Sequence, residues 1–116
     1  MSLFDGISCG LIAFESAGIK VNNYYAFEIE KNAIAITQYN YPNTIQCGDV
    51  FETDFTEFID KNIDILIGGS PCQFWFAAKC HTAKNKKELD TDGMGWKLFF
   101  KICRSVENNQ TKVFLI

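Results

Sequence analysis

Short apolar runs alternate with stretches of helical periodicity along most of the chain, and that alternation predicts its elements. Ser2–Phe4 reads as a short strand that enters a turn at Asp5-Gly6. Leu11 to Ala17 reads as a helix stopped by Gly18, the residue type best suited to end a helix in left-handed backbone. Tyr24–Glu28 is strand-like and aromatic, and Glu30–Tyr39 is a helix that must end before Pro42. Thr44–Cys47 is a third strand closed by Gly48-Asp49, and Asp54–Ile59 is a short helix with Asp54 placed to cap it. Ile63–Ile67 is almost wholly apolar, as a strand buried on both faces should be. Phe99, Ile102, Cys103 and Val106 recur at i, i+3, i+4 and i+7, and Val113–Ile116 is a fifth strand. From Gly68 to about Gly95 neither strand nor long amphipathic helix is visible, and a loop that long inside a compact domain is usually a functional one.

Repeated alternation of strand and helix predicts an α/β fold with about five parallel strands and right-handed crossovers. Ligands bind such sheets at the carboxyl ends of the strands. The residues there are Asp5, Gly6 and Ser8, then Glu28, then Asp49, then Gly69-Ser70-Pro71-Cys72. Small residues in the first turn let a ligand approach the backbone, and the helix start favours negative charge. The turn is neither the dinucleotide G-x-G-x-x-G nor a P-loop. Glu28, about twenty residues later, suits both ribose hydroxyls of a nucleoside, and Asp49 suits an adenine amino group. Together they describe a pocket for an adenosine-containing cofactor, and two acids suit one that carries positive charge. Pro71 fixes the backbone ahead of Cys72, which makes that thiol a candidate nucleophile; the competing reading is a small buried hydrophobe.

Composition narrows the class. Of 116 residues 47% are hydrophobic, and 11 Phe exclude a disordered chain. No apolar run approaches the ~20 residues of a membrane span, and the N-terminus lacks the basic-then-apolar order of a signal peptide. Five cysteines without an export signal read as reduced thiols of a cytosolic compartment. The single histidine, His81, beside Cys80, builds no four-ligand metal set. The net charge of −3 hides an asymmetry, because seven of the 11 Lys and Arg fall within residues 79–104. That stretch is either a solvated lysine-rich loop or a polyanion contact.

The chain resembles the N-terminal part of the catalytic domain of DNA cytosine-5 methyltransferases. The motifs are Leu3-Phe4-Asp5-Gly6, Phe27-Glu28-Ile29, Gly48-Asp49-Val50, Gly69-Ser70-Pro71-Cys72-Gln73 and Leu98-Phe99-Phe100, in that order. The resemblance covers essentially the whole chain. It implies a partial Rossmann-like S-adenosylmethionine-dependent sheet. Phe4 would contact the adenine ring, Glu28 the ribose and Asp49 the adenine amino group, with Asp5, Gly6, Ser8, Ile29, Val50, Pro71 and Leu98 completing the cofactor site. Cys72 would be the catalytic thiolate, adding to carbon-6 of a flipped-out cytosine so that carbon-5 takes the methyl group. Lys79, Lys84, Lys86 and Lys87 would close over phosphates of double-stranded DNA, with Gly93 and Gly95 as hinges. Compactness points to bacterial or phage restriction-modification enzymes and a cytoplasmic location.

Ser2 stands where the family usually has an acid, and Ser8-Cys9 where it has paired glycines. Phe76 stands where it tends to carry a small polar residue. The family's Glu-Asn-Val motif would follow the fifth strand, so the expectation is a fragment without a target-recognition region, inactive alone. It would be completed by a second polypeptide, or would self-associate through the open edge at Val113–Ile116. The alternatives are a non-catalytic nucleotide-binding or interaction module, and a dinucleotide oxidoreductase, which the missing third glycine disfavours.

Overall fold

Ser2–Leu3 (β1) is the middle strand of a five-stranded parallel sheet, flanked by Tyr25–Phe27 (β2) and Ile65–Gly68 (β4). Ile45–Gln46 (β3) lies outside β2 and Val113–Leu115 (β5) outside β4, giving the order β3-β2-β1-β4-β5. The computed structural model describes residues 1–69, Lys97, Phe100, Lys101, Cys103, Arg104 and Glu107, and the backbone of 113–115. Pro71, Cys72, Leu98, Phe99, Ile102 and Val106, the lysines from Lys79 to Lys87, and Gly93 and Gly95 lie outside the described residues. The chain builds outward from β1 in one direction through β3, then returns to the other side of β1 with β4. The tips of β1 and β4 therefore flank the switch point where open α/β sheets place their ligands.

The period-two alternation of β2 divides two cores. Phe27 faces a cluster of Met1, Leu3, Val50, Phe55, Phe58, Ile63 and Leu66, against which Tyr25 packs. Tyr24 and Ala26 face the other way, onto Leu11 with Phe14, Val21 and Tyr41. In the first core Phe27 lies 5.5 Å from Phe55 and 5.7 Å from Phe58 between ring centroids, and Tyr25 meets Phe58 edge-on at 5.4 Å. Such ring pairs contribute about 0.5–1.5 kcal/mol each beyond their buried area. They also fit the type of the short helix that Asp54 begins. Residues Phe55–Lys61 form a 3-10 helix, not an α-helix. Three residues per turn stack Phe55 directly over Phe58, so both rings reach the same core. Asp54 caps the turn by accepting from Thr56 N at 3.0 Å.

Cys9–Ser16 (α1) ends as Gly18 predicts. Gly18, at φ +71°, donates to Glu15 O at 3.0 Å, and Ile19 N reaches back to Phe14 O at 2.9 Å, which closes a Schellman motif. Lys31–Asn40 (α2) starts at Glu30, whose carboxylate accepts from Ala33 N at 2.7 Å. β1 stops one residue short of the sequence expectation because Phe4 turns left-handed, with φ +58°. Lys101 Nζ donates to Thr53 O at 3.2 Å and sits 5.9 Å over the Phe55 ring, which pins its helical segment to the 3-10 turn.

α1 approaches the sheet through Gly10. A methyl group there would lie 2.1 Å from Ile67 Cδ1 and 3.0 Å from the Tyr24 hydroxyl. Gly10→Ala gains about 1 kcal/mol of helix propensity but meets overpacking strain of roughly 1–3 kcal/mol. The expected net result is a destabilisation of about 1 kcal/mol, read as a lower urea midpoint at unchanged slope.

Candidate functional site

The turn after β1 is held in an unusual backbone shape. Phe4, Gly6 and Ser8 have φ of +58°, +61° and +63°. Gly6 adopts this freely, but for Phe4 and Ser8 left-handed backbone costs on the order of 1–2 kcal/mol each. Hydrogen bonds fix the shape. Asp5 N donates to Phe27 O at 3.0 Å, and Gly6 N donates to Glu28 Oε2 at 2.8 Å. Beneath the turn, the Asp5 carboxylate accepts from Ser8 Oγ at 2.5 Å and from the Tyr24 hydroxyl at 2.6 Å. Ser8 Oγ also lies 3.1 Å from Thr37 Oγ1 of α2. All four of these side chains are buried, Ser8 completely. Burial, followed by the bond to Asp5, pushes the Tyr24 phenol well above its ordinary pKa and keeps it a donor.

Asp5 and Ser8 are therefore placed under the rim, with their side chains turned inward. Ser8 occupies the N-cap position of α1 but makes no side-chain cap bond, because its hydroxyl is committed to Asp5 and Thr37. Neither Tyr24 nor Thr37 was visible as a site residue. The available signal was Thr37 itself, a polar residue on the α2 face shared with Ile34 and Tyr41 at i−3 and i+4.

Glu28 follows β2 and is half-buried. Its Oε1 accepts from Ile29 N at 2.8 Å and Glu30 N at 2.9 Å, and Oε2 from Gly6 N. A carboxylate offers about four acceptor directions, so one is left for a further donor, where the sequence suggested both ribose hydroxyls. Ile29 stands beside it with 68% of its surface exposed, a large apolar side chain with no role in either core. Asp49 follows β3; its Oδ1 accepts from Phe51 N at 2.7 Å and its backbone carbonyl from Thr53 Oγ1 at 2.8 Å. Val50 is turned away into the aromatic core. A Cβ built on Gly6, Gly48 or Gly69 would meet nothing within 4 Å, so the backbone at three strand tips borders open space. Gly68, by contrast, pairs in register with Leu3 and would bring a Cβ within 3.1 Å of Leu3 Cβ, so β4 leaves the sheet tight against β1.

The structure thus brings Phe4, Gly6, Glu28 and Ile29 together on the β1–β2 side of the rim, with Asp49 at the tip of the next strand. A cavity of about 340 Å³ lies elsewhere, at the entry ends of the strands, among Ile19–Tyr25 and Lys61–Ile65. None of the rim residues lines it, although Tyr24 does. A shallower cleft of about 250 Å³ lies among Phe51, Lys97, Phe100, Lys101 and Arg104, next to Asp49 in the chain. Among the described residues no cluster of three or more His, Cys, Asp or Glu could hold a metal, and no helix is long and apolar enough to cross a membrane.

Known proteins match along the full length. A family profile described as C-5 cytosine-specific DNA methylase matches residues 1–116. The Type II methyltransferase M1.ScrFI of Lactococcus lactis subsp. cremoris is 33% identical over 119 residues, covering 100% of this chain and 27% of the relative. Type II methyltransferase M.NlaX of Neisseria lactamica is 34% identical over 116 residues, covering 100% and 34%. Type II methyltransferase M.Sau96I of Staphylococcus aureus is 35% identical over 113 residues, covering 95% and 24%. The chain spans about a quarter to a third of the length of these curated relatives.

Replacing Glu28 removes one acceptor group from three backbone N–H groups at once. Glu28→Ala is expected to lower stability by about 1–3 kcal/mol. Amide exchange should accelerate at least tenfold at Gly6, Ile29 and Glu30, while Phe27 in β2 keeps its protection, as read by NMR hydrogen exchange.

Proposed function

Because the chain belongs to the C-5 cytosine-specific DNA methylase family, we propose that its strand tips form the S-adenosylmethionine site of a DNA cytosine-5 methyltransferase. The observation that carries this reading is the hydrogen bond from Gly6 N to Glu28 Oε2, which joins the first turn to the second acid at 2.8 Å. It fixes the acid at the rim with one acceptor direction left for a ribose hydroxyl. The residues present fit such a cofactor. Open space borders Gly6, Gly48 and Gly69. Ile29, beside Glu28, offers an exposed apolar surface for an adenine ring, while Phe4 is partly buried against the aromatic core. Asp49 has its Oδ1 engaged by Phe51 N, which leaves Oδ2 to accept from an adenine amino group. The uncapped start of α1 suits a carboxylate, and Glu28 and Asp49 suit a sulfonium.

S-adenosylmethionine, when bound, supplies the methyl group. Asp5, Ser8 and Val50 support the site from beneath and the rim residues bind. Cys72, Pro71 and Leu98 take the roles that their motifs imply, Cys72 as the nucleophile toward cytosine carbon-6. Cys72 follows Gly68 by four residues in sequence, and Gly68 pairs with Leu3 directly before the cofactor turn. The substrate is double-stranded DNA. The 116 residues by themselves are expected to bind cofactor without sustained methyl transfer, as the matched relatives are several times longer.

Titration calorimetry tests the cofactor. S-adenosylhomocysteine is expected to bind and NAD not to, and Asp49→Ala should weaken the former about tenfold, the worth of one charge-assisted hydrogen bond. NAD binding without S-adenosylhomocysteine binding would overturn the assignment. In a DNA-methylating polypeptide that contains these residues, Cys72→Ser is expected to abolish transfer of labelled methyl groups to DNA while leaving cofactor affinity intact.

A further inference from the structure

We propose that Tyr24 and Thr37 are positioning residues of the cofactor site, holding the Phe4–Ser8 turn in its binding shape through Asp5 and Ser8. The inference rests on the cofactor reading above. Neither residue stands at the rim. Tyr24 precedes β2, Thr37 lies in α2, and both are buried. Their hydroxyls reach the turn from opposite elements. Tyr24 donates to one oxygen of Asp5, Ser8 donates to the other, and Thr37 lies within hydrogen-bond distance of Ser8.

This chain of bonds continues to the surface. Asp5 is followed by Gly6, whose N–H holds Glu28 Oε2. A carboxylate fixed on both oxygens holds its own backbone, and the backbone sets the direction of the next N–H. Loss of the Tyr24 hydroxyl leaves a buried carboxylate oxygen without its donor, and Asp5 must shift to find another. The shift reaches Glu28 through one residue. A structural role alone would be served by a phenylalanine packed on Leu11 and Ala26; it would not require a hydroxyl 2.6 Å from the residue next to Gly6. Ser8 gives up its capping bond to join the same group.

The test is the dissociation constant of S-adenosylhomocysteine, measured by calorimetry well below the melting temperature of each variant. Tyr24→Phe is expected to weaken binding about tenfold, and Thr37→Val about threefold. Tyr39→Phe, on the same helix as Thr37 and 88% exposed, should change nothing. The decisive readout is coupling. In a Glu28→Ala background the Tyr24→Phe change should shrink to less than about twofold, since its effect passes through Glu28. An equal loss in both backgrounds would mean a general structural role and overturn the inference. Wild-type affinity in a folded Tyr24→Phe protein would overturn it as well. If Tyr24→Phe does not fold, Thr37→Val carries the same comparison. If the unmodified protein binds no S-adenosylhomocysteine, both the cofactor reading and this inference fall; if it binds and only the coupling is absent, this inference alone does.

Discussion

A buried carboxylate at the exit of the middle strand is the constraint on which the rest of the rim depends. Removing a charge from water costs several kcal/mol unless hydrogen bonds replace the solvent. Asp5 meets that requirement with donors from two different elements, the residue before β2 and the first residue of the α1 turn. Its backbone N–H adds a third link, to Phe27 at the end of β2. The position of the carboxylate is thereby overdetermined, and so is the backbone that carries it. Left-handed conformations at Phe4 and Ser8 persist because this surrounding structure leaves the turn no relaxed alternative.

The two sides of the sheet supply different kinds of support. Beneath the β1 tip the support is polar and directional, a chain of four hydroxyl and carboxyl groups. Beneath the β3 tip it is apolar. Val50 is packed with Phe27 and Phe55, while Lys101 reaches from its helix to Thr53 and over the Phe55 ring. Hydrogen bonds fix the orientation of Glu28, whereas ring packing fixes where the Asp49 turn sits. A ligand spanning both acids would be read for angle at one end and for distance at the other.

Much of this architecture was legible in the sequence. Gly18 announces the end of α1, and the aromatic run from Tyr24 announces a strand. The order of acids and glycines at the strand tips follows from the parallel arrangement alone. What was not legible depends on contacts distant in the chain. Ser8 before a helix looks like a cap, and only the proximity of Asp5 and Thr37 turns its hydroxyl inward. Asp5 looks like a rim acid until Tyr24, nineteen residues away, is seen bonded to it. Phe55 and Phe58 fit an α-helix equally well in sequence, and the core they share selects the tighter 3-10 spiral. Val50 reads as a rim residue from its place beside Asp49, and only the aromatic core shows that it turns inward. Each of these outcomes is a tertiary choice among local options of nearly equal energy.

Ser8-Cys9, which the resemblance sets against a pair of glycines, fits the same geometry. A glycine in the first of those positions adopts left-handed backbone without cost, whereas a serine there at φ +63° does not. The serine side chain compensates where a glycine could not, by donating to Asp5 and approaching Thr37 inside a site closed to water. One buried charge-assisted bond, worth about 1.5–3 kcal/mol, offsets a left-handed penalty of about 1–2 kcal/mol. Asp5 and Ser8 are thus a matched pair. A serine without the acid would be strained and left with Thr37 alone, and an acid without the serine would be buried and half-satisfied. Tyr24 and Thr37 complete the pair from the sides, so a turn built from less permissive residues keeps its shape because its polar groups point down into the fold, leaving its backbone facing the rim.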